Sequence, residues 1–518
     1  MRPMNIEDLG LKVQLMNTPF LLHRADVESE GWESCALAIA QGNGQLVTIW
    51  ASQKSAHVFV LSAIYSIPGA GLLWLDLKLL KNESSYPDIA GLFPSAIRMQ
   101  RAIHDLMGLT AQGSDDQRPW LNHGMWPLDY FPLRKEFSGF EVGESNPLLP
   151  YHFVEVGGEG VHEIAVGPVH AGIIEPGHFR FSVVGEKTLR LEERLGYAHK
   201  GVDKAFERMP ALDGFRLAGR ISGDSTVAYS WAYCMALESA WKWKIPARAS
   251  FLRALLLERE RVANHLGDLG GIANDAGFAF GLTHFMRLKE IWLRTNREIF
   301  GHRFMMDNIV PGGTLTDLSE ESFELIGSQV ISFKLEVERL RNIYDDHSGL
   351  QDRFMHTGVV GNDVARRMGL TGLAGRASGV AQDVRVDAPS FPYTRFNVKV
   401  SSQTEGDVAA RVAVRFEEIF ESLRLIEQML QEIPTGAFSS LPKNNQSAGV
   451  GAGWVEGWRG GIFVGLLLGR AGRIERCHLH DPSWSNWPVL EYAVIGDIVP
   501  DFPLINKSFN LTYSGHDR

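Results

Sequence analysis

The spacing of apolar side chains predicts two long amphipathic helices in the second half of the chain. From Ser319 to Tyr344, and again from Glu405 to Leu430, apolar residues recur at intervals of three and four, which places them on one face of a helix. The first stripe comprises Phe323, Ile326, Val330, Phe333, Val337, Leu340 and Tyr344, and the second comprises Val408, Val412, Phe416, Ile419, Leu423, Ile426 and Leu430. We interpret both stripes as core packing rather than as a cofactor wall. Two such helices lying together predict a helical bundle from about Thr226 onward.

The N-terminal part of the chain carries a different pattern. Between about Asn5 and Phe137, β-rich runs such as Gln45–Trp50 and Val58–Ile67 are separated by loops that contain proline. Strand-forming runs bounded by such loops are typical of a small mixed domain. This part is therefore predicted to be an α/β or α+β unit.

A change of character near residue 140 predicts a domain boundary. The stretch from Trp126 to Gly143 is rich in proline, aromatic and charged residues and has no helix or strand periodicity, as expected of a connecting segment. We expect a first domain over residues 1–140, a linker over residues 141–160 and a second domain over residues 161–518.

The charge of the chain excludes broad nucleic-acid binding. The 518 residues carry 51 Lys and Arg against 61 Asp and Glu, a net charge of −10. Neutralising a phosphate backbone requires clustered basic residues, and the sequence contains no such cluster.

The N-terminal segment and the late apolar run predict a cytoplasmic chain. The segment from Met1 to Leu11 carries Glu7 and Asp8 and does not resemble a secretory signal. The most apolar late run, Gly460–Gly469, is about half as long as a membrane-spanning helix requires. Any contact with a membrane should therefore be made through partner proteins.

The three cysteines exclude cysteine-based metal motifs and a disulfide framework. Cys35, Cys234 and Cys477 are far apart in the sequence, so none belongs to a CxxC motif. We expect Cys234 and Cys477 to be small apolar core residues.

A series of short motifs carries a resemblance to a known family. In the second part these are Gly167–His170, Glu175–Arg180, Tyr197–Lys204, Pro311–Gly313, Arg376–Gly379 and Glu456–Gly460. In this order they resemble the large subunit of formate-hydrogenlyase-type, membrane-bound nickel–iron hydrogenases and the related quinone-pocket subunit of respiratory complex I. In the first part, Tyr86–Asp88, Phe93–Ala96, Arg101, His104–Leu109 and Pro132–Phe137 resemble the small peripheral subunit of complex I. The resemblance implies a fusion of the two subunits, with a mainly helical large domain that has small β elements at its start and end.

The chain departs from the hydrogenase pattern at all four metal-binding positions. Thiolates bind nickel and low-spin iron where neutral hydroxyls do not, and the family supplies them from one early and one late pair of cysteines. The matching positions are Ser222, Ser225, Thr512 and Gly515. We therefore expect this chain to bind no metal and to have no hydrogenase activity.

The resemblance also implies a set of polar residues around the vacated metal pocket. Candidate pocket or proton-transfer residues are Arg459, Asp224, Glu175 and His178. Residues expected to support the pocket are His199, Asp203, Glu260, Arg261, His265, Asp383 and Arg385. Arg459 matches the arginine above the open coordination site of hydrogenases. The alternative interpretation is that these groups form buried ion pairs that hold the helices in register.

The implied function is that of a subunit in a membrane-attached oxidoreductase complex that couples electron transfer to ion translocation. The expected partners are an iron–sulfur small subunit, a ferredoxin-like subunit and antiporter-like membrane subunits, which would place the chain on the cytoplasmic face of the membrane. The chain itself should hold no cofactor, because the nearest iron–sulfur cluster belongs to the partner.

Two other functions stay open from the sequence. The first is a quinone-reducing subunit, although the quinone-contacting Tyr and His of complex I correspond to Gly223 and Pro176 here, which leaves Tyr229 and His178 as candidates to replace them. The second is a redox-silent subunit that keeps the fold only to dock its partners. The fold alone cannot choose among these functions.

Overall fold

The computed structural model describes residues 4, 6–139, 150–170, 174–442 and 447–518. Its N-terminal part is built on a five-stranded sheet. The strand order is β1-β2-β5-β4-β3, with β2 and β5 parallel and the other pairs antiparallel. The elements are β1 Gln14–Leu15, β2 Leu22–Val27, α1 Ser29–Gln41, β3 Gln45–Ser55, β4 Val58–Ile67, β5 Gly71–Leu80, β6 Ser85–Pro87, α2 Ala96–Met107 and β7 Thr110–Gln112. This mixed sheet with two helices confirms the α/β prediction for the region and both predicted strands.

A three-stranded antiparallel sheet follows, in the order β10-β9-β8. Its strands are β8 Val161–Val166, β9 His178–Val184 and β10 Lys187–Arg194. Residues 141–149 of the predicted linker lie outside the described residues, and residues 150–160 form irregular structure that leads into β8. The division into domains with these boundaries stays a prediction.

The central region is helical, as the apolar stripes predict. Its elements are α3 Val202–Phe206, α4 Gly214–Ala218, α5 Thr226–Ala240, α6 Ala247–Asp275, α7 Ala279–Phe300, β11 Ile309–Val310, β12 Gly313–Thr314, α8 Glu320–Asp346, α9 Ser348–Phe354, α10 Asn362–Met368, α11 Gly372–Ala377, α12 Val384–Asp387 and α13 Val408–Glu432. Helix α6 packs against α7 and α13, and α13 also packs against α8. Together these four long helices form the predicted bundle.

Both predicted stripe helices exist, and their first residues follow from capping. Helix α8 begins directly after Ser319, whose hydroxyl accepts the Ser322 N–H at 3.2 Å. Helix α13 begins at Val408, three residues later than predicted, because Gly406 adopts a φ of +67° and Asp407 caps the helix by accepting the Ala410 N–H at 2.8 Å. The caps therefore determine where each apolar stripe becomes helical.

The two stripes meet in the core. Tyr344 of α8 packs against Phe416 of α13 with ring centroids 5.6 Å apart in an edge-on arrangement. Most residues of both stripes are buried, whereas Phe323 and Leu430 near the helix ends are only partly buried. The interpretation as core packing agrees with this burial.

The C-terminal region closes the bundle with another three-stranded sheet. Strands β13 Gly449–Gly457, β14 Gly460–Leu468 and β15 Ile474–His480 are antiparallel, and helices α14 Ser483–Ala493, α15 Phe502–Phe509 and α16 Tyr513–Asp517 follow. The buried helix α5 lies directly on β13. A β-carbon at Gly453 would stand 1.9 Å from the Ala232 carbonyl oxygen, so this close approach requires glycine.

Within the described part of the chain, no helix is both long enough and apolar enough to cross a bilayer.

Candidate functional site

The loop that leads into α5 carries two of the four vacated ligand positions. Ser222 and Ser225 are buried at the two ends of a short 3-10 turn. Their hydroxyls donate to the same carboxylate oxygen, Asp224 Oδ1, at 2.7 and 3.1 Å. The loop is therefore folded around its own carboxylate.

The two late ligand positions lie beside this loop. Thr512 caps α16 by accepting the Gly515 N–H at 3.1 Å, and its hydroxyl oxygen lies 3.1 Å from Ser222 Oγ. The structure thus brings the early and late positions together, although 290 residues separate Ser222 from Thr512.

Arg459 forms a two-pronged ion pair with Asp224 at this place. The guanidinium donates to the two carboxylate oxygens at 2.9 and 2.6 Å, a geometry that adds strength and direction. Arg459 and Trp458 form the turn between β13 and β14, and the guanidinium stacks 3.9 Å from the Trp458 ring centroid. Burial opposes ionisation of Asp224, but Arg459 and the two serine hydroxyls outweigh it and lower the pKa of this carboxyl to about 2.

Two further groups fill the space next to Gly515. The Tyr229 hydroxyl donates to Asp481 Oδ2 at 2.6 Å, and a β-carbon built on Gly515 would stand 2.8 Å from that hydroxyl and 3.0 Å from that oxygen. The sequence indicated Tyr229 as a candidate but gave no reason to select Asp481. The only feature of the sequence that could have indicated Asp481 is that it is an acidic residue immediately after a buried strand.

These residues do not fit a nickel–iron centre. Such a centre needs four thiolates, whereas the four positions supply three hydroxyls and a hydrogen atom. The hydroxyls of Ser222 and Ser225 are already bonded to Asp224, and that carboxylate is neutralised by Arg459. A side chain at Gly515 would collide with Tyr229.

Glu175 and His178 are placed differently from each other. Glu175 Oε2 accepts the Ser514 N–H at 3.0 Å and so contacts α16, the helix that Thr512 caps and that contains Gly515. His178 lies on β9, where its ring is 5.1 Å from Phe153, and no hydrogen bond in the described residues joins it to the Arg459–Asp224 pair. The structure therefore brings Glu175, but not His178, to the candidate site.

His199 and Asp203 contact the last residues of the chain. His199 Nδ1 lies 2.7 Å from the Asp517 carbonyl oxygen, and Asp203 forms an ion pair with Arg476 at 2.9 Å and lies 3.9 Å from Arg518. Burial raises the pKa of Asp203, but the charges of Arg476 and Arg518 outweigh it, so the pKa is lowered overall. Both residues support α16 rather than the ion pair itself.

Glu260 supports the loop from behind. Its carboxylate accepts the N–H groups of Val227 and Ala228, at 2.7 and 3.1 Å, in the first turn of α5. The neighbouring Asn264 donates to the Asp224 carbonyl oxygen at 2.6 Å. Burial, together with the nearby charge of Asp224, raises the pKa of Glu260 to about 8 despite the two backbone hydrogen bonds.

The other predicted support residues belong to one buried charge network. It contains Arg261, His265, Asp383, Arg385, Glu258, Arg376, Glu418 and Glu456. Its close pairs are His265–Glu418 at 2.8 Å, Arg376–Glu418 at 2.7 Å, Arg376–Glu456 at 2.8 Å, Arg385–Asp383 at 2.7 Å and Arg385–Glu258 at 3.0 Å. Burial and the charge of Asp383 raise the pKa of Glu456 to about 7, so this network contains a carboxyl that can hold a proton near neutral pH.

The network contacts the hairpin that presents Arg459. Arg261 donates to the backbone carbonyls of Glu456 and Gly457 at 2.7 and 3.1 Å, and the His265 ring packs edge-on against Trp458. A second polar connection leads from Arg459 Nε to the Asn510 carbonyl oxygen, and from the Asn510 amide to Asp268, at 2.5 and 2.6 Å. Buried polar groups therefore extend from the ion pair into the bundle.

Known proteins share both parts of this chain. Residues 25–141 match the family described as "Respiratory-chain NADH dehydrogenase, 30 Kd subunit", and residues 275–450 match "Respiratory-chain NADH dehydrogenase, 49 Kd subunit". Formate hydrogenlyase subunit 5 of Escherichia coli (strain K12) is 30% identical over 523 residues, covering 99% of this chain and 89% of that protein. Hydrogenase-4 component G of the same organism is 29% identical over 517 residues, covering 99% of this chain and 88% of that protein.

A solved structure shares the fold. A chain from the membrane-bound sulfane sulfur reductase, described as an archaeal respiratory membrane complex, has a TM-score of 0.66 and 26% identity, covering 70% of this chain and 99% of that chain. This chain therefore belongs to the family of complex I-like and membrane-bound hydrogenase large subunits that includes formate hydrogenlyase subunit 5, fused to a 30-kilodalton-type subunit domain, and it has none of the four metal-binding cysteines.

Proposed function

We propose that this chain is the large subunit of a membrane-attached, complex I-like oxidoreductase complex and that it takes part in electron transfer coupled to ion translocation without hydrogenase activity. The observation that carries the proposal is the Arg459–Asp224 ion pair, which stands among the four vacated ligand positions. A charged, hydrogen-bonded site in this place can respond to electrons that arrive at a neighbouring cluster.

The chain's own residues supply the groups that such coupling needs. An electron arriving close to a buried site changes the local potential, and a nearby carboxyl of raised pKa can take up or release a proton in response. Glu260 and Glu456 have pKa values of about 8 and 7 and lie next to the loop and the hairpin that form the ion pair. In this proposal, Glu260 and Glu456 hold the protons, and Arg459 responds to the change in charge when an electron arrives.

The relatives are named as subunits or components of larger assemblies, and the proposed partner types come from the resemblance to complex I-like complexes. An iron–sulfur small subunit would supply electrons, a ferredoxin-like subunit would deliver them, and antiporter-like membrane subunits would move the ions. The chain would then be peripheral on the cytoplasmic face of the membrane. The relatives' names refer to hydrogen, NADH and sulfane sulfur, so the family as a whole does not select the electron acceptor.

A quinone-reducing subunit is the second candidate. The Tyr229 phenol, which lies buried beside Gly515, favours it, because its single proton can be redirected from Asp481 to the carbonyl oxygen of a bound quinone. The predicted imidazole partner, His178, lies in a different cavity, which weakens this candidate.

Metal analysis of the purified, assembled complex tests the proposal. We expect nickel far below the amount of chain and no hydrogen uptake or evolution, while a hydrogenase relative purified in the same way serves as the positive control. Nickel equimolar with the chain and lost in a Ser222→Ala variant would overturn the proposal.

A further inference from the structure

A cavity lies away from the Arg459–Asp224 pair, beside the β8–β10 sheet. Its volume is about 520 Å³, within the range of pockets that hold small organic ligands. The wall is formed by the 118–128 loop, by residues 150–153 and by the neighbouring ends of β9 and β10.

Four large aromatic side chains contribute to the cavity wall. Trp126, Tyr151, Phe153 and Tyr197 all line it. Tyr151 and Phe153 pack against each other with ring centroids 4.9 Å apart, and Tyr197 is held by His123 at 4.6 Å. Walls of this kind bind flat or apolar groups.

One buried cation in the wall has no acidic partner among the described residues. Arg194 is only 4% exposed and donates to the carbonyl oxygens of Pro119 and Asn122 at 2.5 and 3.4 Å. In contrast, Arg118 at the same cavity pairs with Asp116 and Glu192 at 2.6 and 2.7 Å. Burial of Arg194 lowers its pKa to about 10, as expected for a guanidinium with incomplete charge compensation.

Two of the three imidazoles that line the cavity, those of His123 and His178, do not alter this charge near neutral pH. Burial and the charge of Arg194 lower the pKa of His123 to about 4, and burial together with Arg180 lowers the pKa of His178. Both rings are therefore neutral at physiological pH, and they can exchange hydrogen bonds with a ligand without competing for its charge.

We propose that this cavity binds a small organic carboxylate with an aromatic or apolar body, with the carboxylate facing Arg194 and the body against Trp126, Tyr151 and Tyr197. An anion compensates the one guanidinium that lacks a carboxylate partner, and the rings accept the rest of the molecule. The site is separate from the proposed redox site, so either assignment can fail without the other.

Binding of 2-naphthoate to the purified complex, followed by calorimetry, tests the proposal. We expect saturable binding of one equivalent per chain, at least roughly tenfold weaker binding of the neutral 2-naphthamide, and no competition by inorganic phosphate. An Arg194→Gln variant should lose at least roughly tenfold in affinity for 2-naphthoate. The matched control is Arg190→Gln on the same strand, whose side chain is 41% exposed and is absent from the cavity wall, and it should bind as the unmodified complex does.

A second variant keeps the test decisive if Arg194→Gln fails to assemble. Tyr197 is 39% exposed at the edge of the cavity, so Tyr197→Ala should assemble and still weaken binding of both naphthyl compounds. Equal affinity for 2-naphthoate and 2-naphthamide, unchanged binding in both variants, or no binding by the assembled complex would each overturn the proposal. The last of these results would indicate that a partner subunit fills the cavity.

Discussion

The hydroxyl of Tyr229 donates a 2.6 Å hydrogen bond to Asp481, and both groups lie against Gly515, where the hydrogenase pattern has a cysteine. The Tyr229–Asp481 pair requires glycine at residue 515, because a β-carbon there would stand 2.8 Å from the phenol oxygen. The chain has therefore lost more than a sulfur atom at this position. The space that a ligand side chain would need is occupied by a hydrogen-bonded pair.

We predict that Gly515→Ala destabilises the protein. The new methyl group would also stand 2.4 Å from Thr512 Cγ2, and overpacking of a buried site costs about 1–3 kcal/mol. The thermal midpoint of the assembled complex should fall accordingly. Combining Gly515→Ala with Thr512→Ser, which removes that methyl group and keeps the capping hydroxyl, should recover part of the loss.

Gly223→Ala is the matched control for this experiment. Gly223 lies in the facing loop, and a β-carbon built there meets nothing within 4 Å, so the thermal midpoint should hardly change. If Gly515→Ala is as stable as Gly223→Ala, the packing of Tyr229 and Asp481 against Gly515 is wrong.

The elements of the fold were predictable where a local pattern determines them. The apolar stripes of α8 and α13 gave the correct helices, because burial on one face imposes a helical period. The start of α13 was predicted three residues too early, since apolar spacing carries no information about the capping role of Asp407. Caps depend on single polar residues, which such a pattern does not weigh.

The candidate site was predictable only through the resemblance. No local pattern connects Ser222 with Thr512, which lie 290 residues apart and 3.1 Å from each other. The same resemblance also placed His178 in the pocket. In the structure, His178 is the first residue of β9 and lines the cavity that contains Arg194. Asp481 was missed because its partner, Tyr229, is remote in sequence.

We predict a pH-dependent stability that originates in Glu456. The pKa of this carboxyl is about 7 in the folded chain, against an ordinary value of 4.5, so between these values the folded chain holds a proton that the unfolded chain has released. Its contribution to stability is fully present below about pH 4.5 and is lost as the pH rises through about 7. This contribution lowers the free energy of unfolding over this window, so Glu456→Gln should make the change in that free energy from about pH 4.5 to about pH 7 more positive by roughly 1–3 kcal/mol, as measured from thermal unfolding at each pH.

Glu324→Gln provides the comparison for the pH series. Glu324 is an exposed carboxylate on α8, and its removal should leave the slope of the thermal midpoint against pH unchanged. An identical slope in the Glu456→Gln variant and the unmodified protein would show that Glu456 does not carry the proton.

The last prediction concerns Arg459→Met, which separates a working site from a structural remnant. Arg459 is 6% exposed, but the side chain of Asp224 is 34% exposed, so water partly stabilises the carboxylate once it loses its partner. We expect a loss of about 1–3 kcal/mol, between the values for surface and fully buried pairs. The double variant Asp224→Asn with Arg459→Met leaves no unpaired charge and should recover most of this stability.

If the ion pair senses charge, as proposed, both variants should assemble and both should lose turnover or ion coupling, which is measured in membrane vesicles. Full activity in the stable double variant would reduce the pair to a structural remnant, and unchanged stability and activity in Arg459→Met would show that the guanidinium does not pair with Asp224.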